Sequence, residues 1–562
     1  MKSKNIFLIV LFLSFITYNL SLAQAPAWLS VKDFKAASLS NCKSDKDGNI
    51  YACGRFSDSI KFDSIELKSK TDSRSMYIVK FSPEGKALWA KTTDIDSGPT
   101  IAKTLTVDYE GNIYVIGVFG TPGCIFEKHN LKIIDPLVGQ DIFIIKYNPD
   151  GEIIWIRSAG GECGSVEPWA AVVDSKGDVY IAGCLQAQYI LLDTIKIYKI
   201  SKACRDINFD LFIAKFSADG KALWGKVAGN GKIAFNWAHG IAIDKQDNVF
   251  LTRYFDADYI SFDTITLKKT KTEQLYIAKF NSKGKTLWAK TENTNSSAFF
   301  VTTDTKDNCY IIGHIRSDSL IFGKDTLYGK TNFNACVLKY DSDGNQIWGR
   351  AANKYSAISV YSVTTDSLDN VYAGGWFVQQ PFAYDTVTVP CDKGIYITKY
   401  DSSGKFNWVK CIEADGKLRA LHYDKFGNIY VAGYFVDTAR FDTLTIPQIG
   451  TSQFIAKLAP SLFTTIKSVP EPKTDLFLYP NPCTDELTIN VSHFGNVKHL
   501  ITVYDIHGKA IFQTQSPHNA QTQITQNAQT TISINTRSFP PGLYLTRIQS
   551  PNSTTTRKFI KF

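Results

Sequence analysis

"DKFGNIYVAGYF", residues 424–435, is one of seven versions of a single phrase in this chain. The other six copies open at Asp45, Asp108, Asp174, Asp244, Asp304 and Asp366, so successive copies lie 58 to 70 residues apart. Glycine or a second polar residue before the asparagine supplies the left-handed conformation that a tight turn needs. Because the flanks are rich in Ile, Val, Tyr and Phe over a strand's length, each phrase predicts a β-hairpin.

A second repeated phrase follows each of the first six copies, as in "MYIVKFSPEGKALWAK" (76–91). It predicts another hairpin, with a tryptophan in its second strand. No segment keeps a 3.6-residue apolar period, so we expect almost no helix. Strands such as "IYVAGYF" are apolar on both faces and must be covered on both faces. Four-stranded sheets packed face to face around an axis meet that need, and the sequence therefore predicts an all-β, seven-bladed β-propeller.

The two ends of the repeat array complement each other. The seventh unit ends "QFIAKLAPSLF" (453–463) and lacks the tryptophan strand, whereas "APAWLSVK" (25–32) resembles that missing strand. We predict that Trp28 pairs into the last unit and closes the ring. An open solenoid or two sandwiches is the alternative, which the complementary ends disfavour.

The N-terminus predicts export. Residues 1–23 combine Lys2 and Lys4, an apolar stretch at 6–16 and small residues before Gln24, which is typical of a signal peptide. No later apolar run reaches ~18 residues, so no transmembrane segment is expected. The formal net charge of +9 is spread along the chain, which favours solvated turns over a nucleic-acid surface. Export permits disulfides among the eleven cysteines, and no C-x-x-C pair indicates a zinc ribbon or a thioredoxin site.

Residues 24–463 form the repeat region, and the Pro-containing polar stretch 464–475 is predicted to be a linker. Residues 476–562 alternate short apolar strands with turn signals, as in a small immunoglobulin-like β-sandwich. Four motifs follow in order: Y-P-N-P, a D-x-x-G-K turn, P-P-G-L-Y and a terminal K-F-I-K. Their key residues are Tyr479, Pro480, Asn481, Pro482, Gly508, Lys509, Gly542, Tyr544 and Lys558.

Two family resemblances rest on these motifs. The repeats, over about residues 26–463, resemble the bacterial SBBP-type β-propeller repeat family. The tail resembles the type A C-terminal sorting domain of type IX secretion, although Cys483 follows Y-P-N-P where a small residue is more familiar. The second resemblance implies a route through the periplasm to an outer-membrane translocon, with release or attachment at the cell surface. A merely terminal immunoglobulin-like domain is the alternative.

A candidate ligand face comes from positions that differ between copies. We expect the strand before each aspartate to be the innermost, with residues five before and ten after it facing each other at one mouth of the channel. A glycine nine after the aspartate offers a site for a β-bulge that would shift this register. Aromatic and basic side chains there suit sugar rings or peptide side chains. The alternative is that they plug the channel or pack under loops. The predicted face is Trp169, His239, Tyr254, His314, Tyr361, Trp376 and Arg419.

The same counting places Cys42 opposite Cys53, as two buried thiols or as a cross-strand disulfide. Hydrolase, zinc-protease, P-loop and Rossmann motifs do not occur, and we expect no metal or cofactor. The sequence favours an exported, non-enzymatic binding or adhesion module for polysaccharide, peptide or a surface protein. A propeller hydrolase or lyase, whose carboxylates would converge from distant strands, and a structural surface component are the alternatives.

Overall fold

The computed structural model describes residues 25–459 apart from 36, 70–73, 94–97, 138, 201–208, 230–239, 330–333, 353–357, 379–382 and 385–386. In the tail it describes 478–479, 483–490, 500–505, 510–515, 531–540, 542–550 and 553–561. The predicted signal peptide and linker lie outside these residues. The chain divides into two compact units, Met1–Thr464 and Thr465–Phe562. Among the described residues there is no helix, and none that could cross a membrane.

The first compact unit is a β-propeller. Its described residues form seven antiparallel four-stranded units, in which the strand before each repeated aspartate comes first and packs against the first strands of the neighbouring units. These strands are therefore the innermost, as predicted. They are β2 (Ala37–Ser44), β8 (Thr100–Val107), β14 (Val166–Val173), β20 (Gly240–Ile243), β26 (Ser296–Thr303), β32 (Ile358–Thr365) and the C-terminal half of β37 (Phe406–Tyr423).

Three further strands complete each unit. The second strands are β3 (Ile50–Phe56), β9 (Ile113–Phe119), β15 (Val179–Leu185), β21 (Val249–Phe255), β27 (Cys309–Ile315), β33 (Val371–Phe377) and β38 (Ile429–Phe441). The third strands are β6 (Ser75–Phe81), β12 (Asp141–Tyr147), β18 (Asp210–Phe216), β24 (Gln274–Phe280), β30 (Asn334–Tyr340), β36 (Gly394–Tyr400) and β39 (Leu444–Leu458). The outer strands are β7 (Ala87–Thr92), β13 (Ile153–Gly160), β19 (Ala222–Ala228), β25 (Thr286–Thr291), β31 (Gln346–Ala351), the N-terminal half of β37, and β1 (Trp28–Phe34).

Between the second and third strands of the first six units lies an extra hairpin, as the long repeat predicts. These hairpins are β4 (Ser59–Phe62) with β5 (Ile65–Lys68), β10 (Cys124–Phe126) with β11 (His129–Leu131), β16 (Tyr189–Leu192) with β17 (Ile195–Tyr198), β22 (Tyr259–Phe262) with β23 (Ile265–Lys268), β28 (Ser319–Phe322) with β29 (Asp325–Tyr328), and β34 (Ala383–Tyr384) with β35 (Val387–Thr388). In unit seven the long strands β38 and β39 continue into the same feature.

Alternate residues of one strand face different neighbours, which explains why the strands are apolar on both faces. In unit two, Val115 packs in a cluster with Ile78 of unit one, whereas Ile116 packs with Ile181 of unit three. Both faces of each sheet are therefore buried.

The repeated aspartate is the centre of a buried polar node. In unit five, Asp304 accepts hydrogen bonds from the backbone N–H groups of Lys306 and Asn308 and from the Tyr310 hydroxyl. The Lys339 ammonium lies 3.3 Å from the Asp304 carboxylate and 4.7 Å from the centre of the Tyr310 ring. One carboxylate thus closes the turn and neutralises a buried lysine, and this explains why the two phrases repeat together.

Tryptophans of the outer strands join successive units. The Trp89 indole N–H donates to the Pro149 carbonyl in the next unit at 3.1 Å, and the ring lies against Gly151 of the same turn. The same contact recurs at four further junctions, where Trp155, Trp224, Trp288 and Trp348 donate to Ala218, Ser282, Ser342 and Ser402.

The N-terminal strand closes the ring, as predicted. β1 pairs antiparallel with β39, and residues of units one and seven share one core that includes Phe34 and Ile455. Trp28 does not occupy the tryptophan position of the other units, however. That position, opposite the third-strand lysine, belongs to Ser30, which faces Lys457, while Trp28 lies two residues earlier and packs edge-on against Phe441.

The predicted opposition of Cys42 and Cys53 is wrong by one residue. Asp45 and Asn49 close the turn, because the Asp45 N–H donates to the Asn49 carbonyl, and Cys53 therefore pairs with Asn41. Cys42 lies in the core shared with unit seven and Cys53 in the core shared with unit two. The two thiols are free and on opposite faces. A disulfide does join Cys391 to Cys411 in unit six.

The second compact unit contains two antiparallel sheets. One has the order β40 (Leu478–Tyr479), β41 (Glu486–Asn490), β44 (Thr531–Asn535); the other has β43 (Ala510–Gln515), β42 (Leu500–Tyr504), β45 (Gly542–Ser550), β46 (Ser553–Lys561). Side chains of both sheets, such as Leu487 and Ile501, share one buried core that also contains Cys483.

Candidate functional site

A β-bulge interrupts the inner strands at the position five before the aspartate. In unit one the pairing steps from Leu39↔Gly54 to Asn41↔Cys53, so that Ser40 has no partner across the ladder. The bulge residues of the six units in which it is described are Ser40, Lys103, Trp169, Phe299, Tyr361 and Arg419. An extra residue on one strand re-aims its side chain relative to the regular alternation.

The glycine nine after the aspartate belongs to this bulge. A Cβ atom on Gly54 would lie 1.9 Å from the Ser38 carbonyl oxygen, and one on Gly375 would lie 1.7 Å from that of Ser359. Only glycine therefore allows the two backbones to approach this closely. The sequence predicted a bulge near this glycine. The extra residue, however, lies on the inner strand and not on the strand that carries the glycine.

The predicted pairing of the positions five before and ten after the aspartate is wrong by two residues, one from the register of the turn and one from the bulge. The residue ten after pairs instead with the residue seven before, as Arg55 does with Ser38 and Trp376 with Ser359.

Six units contribute to one cavity of about 330 Å³ on the ring axis, at the level of the bulges. Three of the predicted face residues, Trp169, Tyr361 and Arg419, line it together although they come from units three, six and seven. Ser40 and Lys103, which occupy the equivalent bulge position, also line it, together with Arg55. We call this space the central cavity.

Contacts among the lining residues fix their orientation. The Lys103 ammonium lies 4.2 Å from the centre of the Trp169 ring and 3.4 Å from the Glu167 carboxylate. The Trp169 indole N–H donates to the Cys184 sulfur at 3.4 Å, and burial raises the pKa of that thiol to about 12. One aromatic face of Trp169 is thus covered by a cation rather than open to a ligand.

On the other side, the Arg419 guanidinium donates to the Tyr361 hydroxyl at 3.2 Å and lies over the rings of Tyr361 and Tyr434. Arg55 of unit one lines the same cavity. Burial lowers the pKa of Arg55, and the nearby positive charges of Arg74 and Arg419 lower it further.

The other predicted residues that the structure describes do not line the central cavity. His314 is buried, with its ring 4.8 Å from that of Phe299, and burial together with Arg316 and Arg253 lowers its pKa to about 3. Tyr254 lies beside the Arg253 guanidinium. Trp376 packs in the unit-seven core under the Lys417 ammonium, and His239 lies outside the described residues.

Sequence reasoning missed three cationic residues of this region, Arg55, Lys103 and Arg253. Arg55 and Lys103 stand at the variable positions, but the predicted face does not include them. Arg253 stands nine after its aspartate, where the other six copies have glycine. It is buried, and its guanidinium lies 4.8 Å from the rings of Tyr254 and Phe299. This departure from glycine is the sequence feature that could have singled out Arg253.

The sorting residues that the structure describes lie in strands. Tyr544 is buried, stacks on Phe559 at 5.3 Å and donates its hydroxyl proton to the Pro540 carbonyl. Tyr479 pairs with Thr488, Gly542 with Lys561, and Lys558 with Leu545. Pro480, Asn481, Pro482, Gly508 and Lys509 lie outside the described residues.

Comparison with known proteins found a matching family and similar proteins. Residues 477–561 match the family described as the secretion system C-terminal sorting domain. The chain is similar to a WD repeat-containing protein of Acanthamoeba polyphaga mimivirus, at 24% identity over 408 residues. The match spans 60% of this chain but only 29% of that protein.

Solved structures with a similar arrangement share little sequence and superimpose loosely. YCF48 bound to a D1 peptide is 7% identical with a TM-score of 0.38, covering 78% of this chain and 98% of its own. The Pan2 WD40 domain of Neurospora crassa is 8% identical with a TM-score of 0.29, covering 77% and 98%. The sorting domain implies export by type IX secretion, to the cell surface or beyond it. The chain is a β-propeller-type repeat protein that carries a secretion system C-terminal sorting domain.

Proposed function

We propose that the propeller is a non-enzymatic binding or adhesion module that acts outside the cell on a polysaccharide, a peptide or a surface protein. The observation that supports this proposal most is the convergence of Trp169, Tyr361 and Arg419 from three separate units on the central cavity. Residues at this position differ between units, whereas the buried aspartate and lysine of the polar node repeat. Packing therefore does not determine which residues stand at the bulge position, and we attribute their identity to ligand recognition.

The dimensions and chemistry of the central cavity suit a ligand. Its volume of about 330 Å³ lies at the lower end of the range of small-molecule sites. Its lining combines aromatic rings with hydroxyl, amide and cationic groups, which give a bound ring both contact area and orientation. Delivery through the sorting domain would place this cavity where extracellular polymers are available.

A glycan and peptide array probed with the full-length chain tests the proposal. We expect a hit that the double variant Trp169→Ala/Tyr361→Ala loses and that Tyr109→Ala keeps. Tyr109 is a suitable control because it is 86% exposed on the turn of unit two. A hit that survives the double variant would contradict the site. The absence of any hit would contradict glycan or peptide binding and direct the search to protein partners at the cell surface.

A further inference from the structure

Two arginines from the units that close the ring line the central cavity. Arg55 belongs to the second strand of unit one and Arg419 to the inner strand of unit seven, and both line the central cavity. Burial lowers the pKa of Arg55, and the positive charges of Arg74 and Arg419 lower it further, as expected for like charges held close together. Like charges held together in a partly enclosed space favour an anion between them.

The described residues do not neutralise these two charges. The nearby Lys103 has a carboxylate partner in Glu167, but no ion pair among the described residues includes Arg55 or Arg419. Arg419 uses one N–H on the Tyr361 hydroxyl, which is neutral. A guanidinium carries five N–H donors in a planar fork that matches a carboxylate or a sulfate, so donors remain for a ligand.

The rest of the lining suits a compact polar ring better than an extended chain. Ser38, Ser40 and Asn41 of unit one bring hydroxyl and amide groups to the lining, and Trp169 and Tyr361 add aromatic rings. A cavity of about 330 Å³ on the axis of a ring of strands accepts a chain end or a single ring. An extended peptide would instead use a sheet edge or a groove.

We infer that the central cavity binds the carboxylate or sulfate group of an acidic sugar residue between Arg55 and Arg419. This inference rests on the proposed binding function and specifies its ligand class. The two guanidiniums hold the anion, Trp169 and Tyr361 border the sugar ring, and the polar side chains of unit one meet its hydroxyl groups.

Calorimetric titration of the full-length chain tests this with trigalacturonate, its neutral methyl ester, a sulfated disaccharide and pentaglutamate. We expect one of the two acidic sugars to bind and the ester to bind at least tenfold more weakly. Arg55→Gln and Arg419→Gln should each weaken binding of the acidic sugar by about tenfold or more, since a hydrogen bond to a charged group is worth roughly 1.5–3 kcal/mol. The carboxylate and sulfate arms distinguish the two anions.

Arg440→Gln is the matched control. It removes the same charge from an exposed pair with Glu413 on the outer part of unit seven, and binding should not change. Unchanged unfolding midpoints would show that the three variants remain folded.

Equal binding of acid and ester, unaffected by either cavity variant, would overturn the anion while leaving the binding function intact. Arginine-dependent binding of pentaglutamate in preference to both sugars would overturn the sugar class. No binding of any probe would overturn this inference, and the array experiment would still decide the proposed function.

Discussion

The bulge residue of each unit shows how one backbone position can carry different side chains. The pairing register shifts in the same way at Ser40, Lys103 and Trp169, but the three side chains have nothing chemical in common. Asp304 and its equivalents, by contrast, are the same residue in every unit because each must satisfy the same donors. Diversity at a fixed backbone position marks the residues that the fold does not specify.

His314 makes the propeller sensitive to acid. Its pKa of about 3 in the folded state lies below its ordinary value of 6.5 because the ring is buried near two arginines. The unfolded chain therefore takes up a proton below pH 6.5 while the folded chain does not. The resulting stability is fully present above pH 6.5 and is lost progressively as the pH falls toward 3.

We expect the free energy of unfolding to fall by about 2 kcal/mol more in the native chain than in His314→Gln between pH 7 and pH 5. Urea unfolding followed by tryptophan fluorescence measures this, because all ten tryptophans lie between Trp28 and Trp408 and so report on the propeller. Gln can still accept the Val360 N–H that His314 accepts at 3.4 Å. Equal acid sensitivity of the two proteins would contradict the assignment.

At the scale of the hairpin, two aspartates of unit five make similar turns with different environments. Asp304 and Asp341 each accept two backbone N–H groups and an asparagine side chain. Only Asp304 is buried and neutralises Lys339, whose side chain is 6% exposed. Asp341→Ala thus removes turn hydrogen bonds alone, while Asp304→Ala also leaves a buried charge without its partner.

We expect Asp304→Ala to lower the free energy of unfolding by about 3–5 kcal/mol and Asp341→Ala by about 1 kcal/mol. Denaturant unfolding followed by tryptophan fluorescence compares the two. Adding Lys339→Met to Asp304→Ala should recover part of the loss, because the uncompensated charge is then gone. A double variant no more stable than Asp304→Ala would show that the turn, and not the lysine, dominates.

The same hairpins show which features of the fold and of the site can be predicted from the sequence. Turn residues and two-faced apolar strands sufficed for an all-β propeller with the first strand innermost. Register failed by one residue at Cys42 because hydrogen bonds of Asp45 and Asn49 set where pairing starts, and alternation alone does not contain that information. Trp169, Tyr361 and Arg419 are bulge residues of the inner strands. His314 and Trp376 stand on second strands, and Arg55 is the one described second-strand residue that lines the central cavity.

At the scale of the whole molecule, the ring is closed by strands from opposite ends of the propeller, and the junction of units seven and one differs from the five at which a tryptophan contact is described. At five junctions a tryptophan ring covers the turn glycine of the next unit, whereas a Cβ on Gly85 would meet no atom within 4 Å. The tryptophan position is held by Ser30, which lines a groove with Phe81, Pro83 and Tyr430. The last junction therefore lacks a contact that stabilises its counterparts.

Ser30→Trp should supply that contact and stabilise the propeller. The new ring would lie on Gly85 as Trp89 lies on Gly151, and its N–H would reach the Pro83 carbonyl, which Lys457 alone approaches at 3.5 Å. We expect a gain of about 1–3 kcal/mol from burying an aromatic side chain, seen as a higher midpoint in thermal and urea unfolding. Trp89→Ser opens the equivalent groove between units one and two and should lose about 3 kcal/mol or more. If both substitutions lowered the midpoint, the ring would close through a packing of its own around Trp28 and Phe441, and the groove at Ser30 would be a requirement of that packing rather than an unfilled copy of the other junctions.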